Sequence, residues 1–305
     1  MRMHIGHVAL QVEDIHASAR HATERLGLRV THSAPTEIRL SANAKAHELQ
    51  LISGRGAGLD HVGLEVESDS DLEEVRDRVI SAGARILGEE AEEGLASALR
   101  FVGPADIVYE VYTGMKRDPL SIENIITPFA RKLGHLTFFS DELDDVLSFW
   151  IHTLGFRVSD RVGDAGAWLR CDPDHHGLAA GRSAEPGTRL HHYAFELQGF
   201  DTVGAYADNL ARIGEGRVGD GLLWGPGRHG PGRNIFTYAR DPAGCLVEAY
   251  TDLLRIDDDA AYQPIDWSTL PSAMNLWGPD MPADWDVHGV PVLGAGVEHV
   301  RAGTR

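Results

Sequence analysis

Around position 240 the chain carries residues whose types and spacing could do chemistry. It reads Gly227-Arg228-His229, then Tyr238-Ala239-Arg240-Asp241-Pro242-Ala243-Gly244-Cys245-Leu246-Val247-Glu248. Asp-Pro-Ala-Gly is a tight-turn sequence, so it predicts two strands, 234–238 and 245–250, folded back on one another. Glu248 then stands in an apolar strand with a tyrosine and a histidine close by. A carboxylate there is costly unless it is paired or binds a metal. His135, in Gly-His-Leu-Thr-Phe-Phe, and His192, in Leu-His-His-Tyr-Ala-Phe, sit in strand-like runs of their own.

Two neutral imidazoles and one carboxylate form a facial triad that leaves three positions open on an octahedral ion. That suits Fe(II) and O2 chemistry, and Mn(II) accepts the same donors. A structural zinc site would close its coordination, often with thiolates. Cys171 and Cys245, the only cysteines, have no such spacing and read as small buried hydrophobes. Taken singly, a strand histidine is more often a hydrogen-bonded core residue, and a buried glutamate more often pairs with Arg or Lys. What raises the metal reading is that these residues recur at equivalent places of a repeat.

The elements that must position them repeat four times. Residues 5–12 alternate as a strand, 15–26 have helical spacing, and Gly27 is placed to cap the helix. The pattern restarts at 59–66, with a helix over 72–82 and Gly83 after it, and strands at 85–87, 98–101 and 107–112. It restarts again at 133–139, with a helix over 143–154 ended by Gly155, and at 189–197, with a helix over 203–213. The chain therefore reads as an α+β protein of four βαβββ units paired into two domains, each a cup-shaped mixed β half-barrel with outer helices. Residues 1–115 form the first domain, 116–133 a linker with two prolines, and 134–255 the metal-binding domain. Residues 256–305, which carry Trp267, Trp277 and Trp285, read as an irregular but ordered tail packed on the body.

A chain of 305 residues with a formal net charge of −18 can bury a large core and is expected to engage neither nucleic acid nor a membrane surface. It has no apolar run long enough to span a bilayer, and its first residues run straight into a strand pattern, so a cytoplasmic location is expected.

These residues resemble the two-domain type I extradiol ring-cleavage dioxygenases, of the catechol 2,3-dioxygenase type within the vicinal oxygen chelate superfamily. The family's C-terminal pattern is met by Gly227, His229, Tyr238, Asp241, Pro242, Gly244 and Glu248, and departs only at Thr237, where the family has an aliphatic or aromatic residue. The resemblance covers roughly residues 1–255, and the tail is similar to the family's C-terminal segment. It implies that His135, His192 and Glu248 hold the metal and that His176, in Asp-His-His-Gly-Leu-Ala, is the acid–base histidine. His229 and Tyr238 match the groups beside substrate and oxygen. The implied reaction inserts both atoms of O2 into a catechol, next to rather than between its hydroxyls, giving a 2-hydroxymuconic semialdehyde-type product. A homo-oligomer, a tetramer by family resemblance, is implied as well. His175 and His191, one residue from these groups, should face the other side of their strands, in surface or supporting roles.

Homoprotocatechuate-cleaving relatives share the Gly-Pro-Gly-Arg-His-Gly run but place an arginine before it to grip a carboxylate; here that residue is Trp224. An aromatic wall lines an apolar pocket, so Trp224 is expected to contact an uncharged or apolar catechol. His7, His61 and Glu110 fall at the repeat positions of the metal triad in the first domain. They lack evident counterparts of His176, His229 and Tyr238, and that domain is expected to hold no catalytic metal. Other readings of the same fold are a metal-dependent isomerase or lyase of the glyoxalase type and a binding protein that sequesters aromatic ligands.

Overall fold

A computed structural model describes residues 2–119, 130–213, 221–270 and 273–296. The first half forms β1 (Met3–Val12), α1 (Ile15–His21), β2 (Arg29–Ala34), β3 (Glu37–Ser41), β4 (Leu49–Ser53), β5 (Gly58–Val66), α2 (Asp69–Ser81), β6 (Arg85–Gly88), β7 (Ser97–Val102) and β8 (Val108–Thr113). The second half repeats it with β9 (Ala130–Ser140), α3 (Leu143–Ser148), β10 (Arg157–Val162), β11 (Gly166–Arg170), β12 (Leu178–Arg182), β13 (Thr188–Leu197), α4 (Phe200–Ile213), β14 (Leu222–Arg228), β15 (Ile235–Arg240) and β16 (Leu246–Thr251). The eight-stranded sheet runs β2-β3-β4-β1-β5-β8-β7-β6; the second runs β14-β15-β16-β13-β9-β12-β11-β10 before it takes in strands of the tail. In each unit the first strand pairs in parallel with the last, as β1 with β4 and β13 with β16. The two first strands of a domain pair antiparallel, β1 with β5 and β9 with β13. Four βαβββ units paired into two half-barrels are thus the observed architecture.

Local chemistry explains the boundaries. Asp14 caps α1 by accepting a bond from the Ala17 amide, and Ser68 caps α2 through the Asp71 amide. Gly27 takes a left-handed conformation (φ 71°) that ends the first helix where a residue with a Cβ would be strained. The helices expected over 15–26 and 143–154 are α-helical for their first part only. Each finishes in a wider π turn, Ala22–Leu26 and Phe149–Thr153, with Leu26 and Trp150 fully buried.

Strand β9 starts at Ala130, paired with Leu197, so residues 130–133 of the expected linker belong to the sheet; 120–129 lie outside the described residues. One apolar cluster runs through both halves, with Trp150 Nε1 donating to Tyr109 Oη at 2.6 Å across the join. The tail adds strands to the second sheet. β17 (Ile265–Asp266) pairs with β10, and β18 (Val290–Pro291) pairs with β13. Residues 271–272 and 297–305 of the tail lie outside the described residues.

Candidate metal centre

Strands β9, β13 and β16 bring His135, His192 and Glu248 to one point, all three buried. Glu248 Oε2 lies 2.9 Å from His135 Nε2 and 3.2 Å from His192 Nε2. Adjacent donors on an octahedral ion with bonds of about 2.1 Å stand about 3 Å apart, so this set fits a divalent metal. Burial alone would keep Glu248 protonated, but the two imidazoles outweigh it and hold the carboxyl well below its usual range. The other oxygen, Oε1, accepts a bond from Asn234 Nδ2 at 2.8 Å, which orients the carboxylate. The Asp-Pro-Ala-Gly turn sets the register that places Tyr238 opposite Glu248, with Asp241 Oδ1 accepting from the Cys245 amide and Gly244 at φ 90°.

The expected partners gather around it. The His176 ring centroid is 4.3 Å from that of His135. Tyr238 Oη donates to Glu248 Oε2 at 2.8 Å and lies 3.1 Å from His229 Nε2. His229 Nδ1 is 2.5 Å from the Met274 carbonyl, which can only accept, so the proton sits on Nδ1 and Nε2 presents its lone pair. Burial holds His229 at a pKa of about 4, and burial, then the charges on His135 and His175, push His176 well below the ordinary range. Both are neutral imidazoles near pH 7. Burial and the Glu248 charge push Tyr238 well up, so its phenol stays protonated.

His175 and His191 are fully buried, neither at the surface. His191 Nε2 is 2.8 Å from the Trp285 carbonyl and must donate to it, so His191 Nδ1 accepts from His192 Nδ1 at 2.7 Å. That leaves the His192 Nε2 lone pair for a metal ion at the position beside Glu248. A parallel chain stands behind His176: Asp160 Oδ2 is 3.1 Å from His175 Nε2, and His175 Nδ1 is 3.0 Å from His176 Nδ1. With Nδ1 held by His175, His176 has Nε2 left to act. Sequence reasoning missed Asn234, Asp160 and the Trp285 carbonyl. Strand alternation could have flagged Asn234, which shares a face of its strand with Tyr238; the other two come from distant segments.

The triad opens into a cavity of about 430 Å3, within the usual range for small-molecule sites. Its walls include Phe139, Trp168, Ala180, Met281 and Trp285, and among the described residues no arginine or lysine lines it. Trp224 does not line it either, which corrects the expectation of substrate contact. Its indole stacks behind Tyr238, 5.5 Å between centroids and 11° between planes, and its Nε1 is tied to the Pro279 carbonyl. The bond to the tail turns the ring into backing for Tyr238 instead of wall.

The first domain holds the equivalent cluster of His7, His61 and Glu110, again fully buried. The sequence suggested no counterpart of His176 there, but His47 is one. Its ring lies 4.5 Å from His7, and it precedes β4 as His176 precedes β12. The signal was its place two residues before that strand.

The chain belongs to the Glyoxalase/Bleomycin resistance protein/Dioxygenase superfamily, whose sequence profile matches residues 4–106 and 132–249. It is 27% identical to Metapyrocatechase 2 of Cupriavidus necator, over 91% of this chain and 89% of that one. It is 26% identical to 3-methylcatechol 2,3-dioxygenase of Pseudomonas putida, over 80% and 88% of the two. Among solved structures, it is similar to a Mn(II)-bound glyoxalase from Novosphingobium aromaticivorans, with TM-score 0.80, 28% identity and coverage of 92% and 93%.

Proposed function

We propose that this chain is an extradiol dioxygenase that cleaves an uncharged or apolar catechol. The observation that carries the reading is a His135/His192/Glu248 centre open to an apolar cavity, with the neutral His176 beside it. Both atoms of O2 enter the product, a 2-hydroxymuconic semialdehyde-type compound. The relatives named for metapyrocatechase and 3-methylcatechol 2,3-dioxygenase activity support the reaction class. In this reading residues 134–255 are the catalytic domain and 1–115 hold no catalytic metal.

Fe(II), or Mn(II), held by His135 Nε2, His192 Nε2 and Glu248 Oε2, would supply Lewis acidity toward two adjacent hydroxyls and reactivity toward O2. The residues do the rest. His176 Nε2 takes a proton from the catechol and can return it later in the cycle, as a neutral imidazole with its other nitrogen held by His175. Tyr238 offers a hydroxyl that can donate where negative charge gathers on the substrate, with His229 Nε2 3.1 Å from that oxygen. The apolar walls exclude water and provide no cation for a ring carboxylate.

The test is anaerobic incubation with Fe(II) and catechol, followed by air. A yellow ring-fission chromophore is expected; its absence with an intact metal site overturns the reading. Comparative kinetics follow: kcat/KM is expected to be highest for unsubstituted, alkyl- or aryl-catechols, and a clear preference for a carboxylated catechol refutes the substrate class. Similarity to the Mn(II)-bound glyoxalase carries a second reading, a glyoxalase-type isomerase or lyase. That would appear as O2-independent turnover. A homotetramer is the proposed assembly, checked by light scattering in solution.

A further inference from the structure

We infer that the first domain binds a second divalent transition-metal ion, at His7, His61 and Glu110, as a closed site that does no catechol chemistry. His7 Nε2 lies 3.0 Å from His61 Nε2 and 3.4 Å from Glu110 Oε2, and His61 Nε2 lies 3.8 Å from that oxygen. The first two spacings are close to those of the C-terminal centre and suit adjacent donors on one ion, and the third is wider. The frame is duplicated residue for residue. Val8 pairs with Leu49 as Leu136 pairs with Leu178, which aligns His7 with His135. Arg100 pairs with Glu110 as Tyr238 pairs with Glu248. Even the close approach of a tyrosine to the glycine before the first histidine recurs, Tyr112 at Gly6 and Tyr250 at Gly134.

Several observations ask for a cation. His61 Nδ1 is 2.6 Å from the Asp60 carboxylate, so it carries the proton and leaves the Nε2 lone pair directed at the cluster. A carboxylate behind a histidine is the usual support of a metal ligand. Glu110 Oε2 and both ring nitrogens of His47 are buried without a hydrogen bond among the described residues. Arg100 Nη2 bonds Glu92 at 2.6 Å and Glu110 Oε1 at 2.9 Å and lies 3.4 Å from His61 Nε2, yet it leaves Glu110 Oε2 without a hydrogen bond among the described residues. Around the cluster stand four carboxylates, of Glu37, Asp60, Glu92 and Glu110, against two guanidinium groups, of Arg39 and Arg100. Lys45 and Glu65 cancel each other. A dication removes the excess negative charge, which burial would otherwise penalise.

The same register explains why this ion would be closed to substrate. Trp168 and Ala179, which line the C-terminal cavity, pair with each other as Arg39 pairs with Gln50. Arg100 stands in Tyr238's position. Gln50 bonds Glu37 and Glu92, and Arg39 pairs with both, so the space a catechol would need is a polar plug.

The experiment counts metal in the full-length chain, stripped with chelator, reloaded with Mn(II) or Co(II) and measured by elemental analysis. Wild type is expected to saturate at two equivalents. A His192→Ala/Glu248→Ala chain is expected to keep one, and a His61→Ala/Glu110→Ala chain to keep one. Co(II) ligand-field absorption should persist in both. Saturation of the wild type at a single equivalent overturns the proposal, whether or not the variants fold, as does complete loss of binding in a folded His192→Ala/Glu248→Ala chain. None of these readouts depends on ring cleavage, so failure here leaves the proposed activity standing.

Discussion

His176 and His192 each have a second histidine behind them, and that pairing decides which ring nitrogen is left to act. For His192 the proton is drawn to Nδ1 by His191, itself committed to the Trp285 carbonyl. For His176, Nδ1 is engaged by His175 Nδ1 at 3.0 Å, whose ring lies 3.1 Å from Asp160. His175→Ala should therefore lower kcat by about 10- to 100-fold with KM nearly unchanged, the size expected when an orienting partner is lost. The acid limb of the pH–rate profile should move with it, and a variant that alters only KM refutes the orienting role. His176→Gln, which removes the proton acceptor itself, should reduce kcat by about 100- to 10,000-fold while metal content stays unchanged.

At the scale of elements, the site depends on how closely strands approach. A Cβ placed on Gly134 would stand 1.7 Å from Tyr250 Oη, against a fully buried ring. Gly134→Ala should thus destabilise the second sheet by roughly 1–3 kcal/mol, the usual range for overpacking. It should also displace the neighbouring His135; thermal unfolding and metal affinity are expected to fall together. Strand β5 carries an acid-sensitive pairing. Burial would raise the Glu65 pKa, but the contacts with His4 at 3.5 Å and Lys45 at 2.9 Å, with the Lys45 charge, overcome it and hold the group at about 2, against an ordinary 4.5. A depressed carboxylate adds stability above pH 4.5 and loses it as pH falls toward 2. The contribution is about 1–2 kcal/mol once solvent screening at the rim is allowed for. Glu65→Gln should flatten the stability slope in that window, read by urea unfolding at successive pH values.

The whole molecule closes its site with the tail. Asp160 accepts from Tyr262 Oη, the Ile265 amide and Trp267 Nε1, and Trp285 supplies both the carbonyl behind His191 and a wall of the cavity. A chain ending at residue 256 should keep the two-sheet fold, judged by circular dichroism, yet lose at least about tenfold in kcat/KM as the supports of both histidines go. Full activity in such a chain would show that the tail is dispensable.

Much of this was legible in the residues alone. Helical and strand periodicity repeated four times, and the Asp-Pro-Ala-Gly turn set Tyr238 and Glu248 opposite each other, because turn chemistry and side-chain alternation are local. The His135, His192 and Glu248 cluster followed from the repeat, since equivalent positions of a duplicated unit meet by symmetry. Contacts between segments far apart in the chain were not legible. Trp224 looked like a pocket wall, but a tail carbonyl holds it behind Tyr238. Asp160, Trp285 and the crowded polar plug around His7 and His61 depend on which side chains distant strands bring together. Sequence by itself determined the repeat, its ligand-type residues and their order on the strands, since those depend on neighbours along the chain. Only the tertiary structure decided which nitrogen of each histidine faces the metal position, and that one cup is open and apolar while its twin is filled.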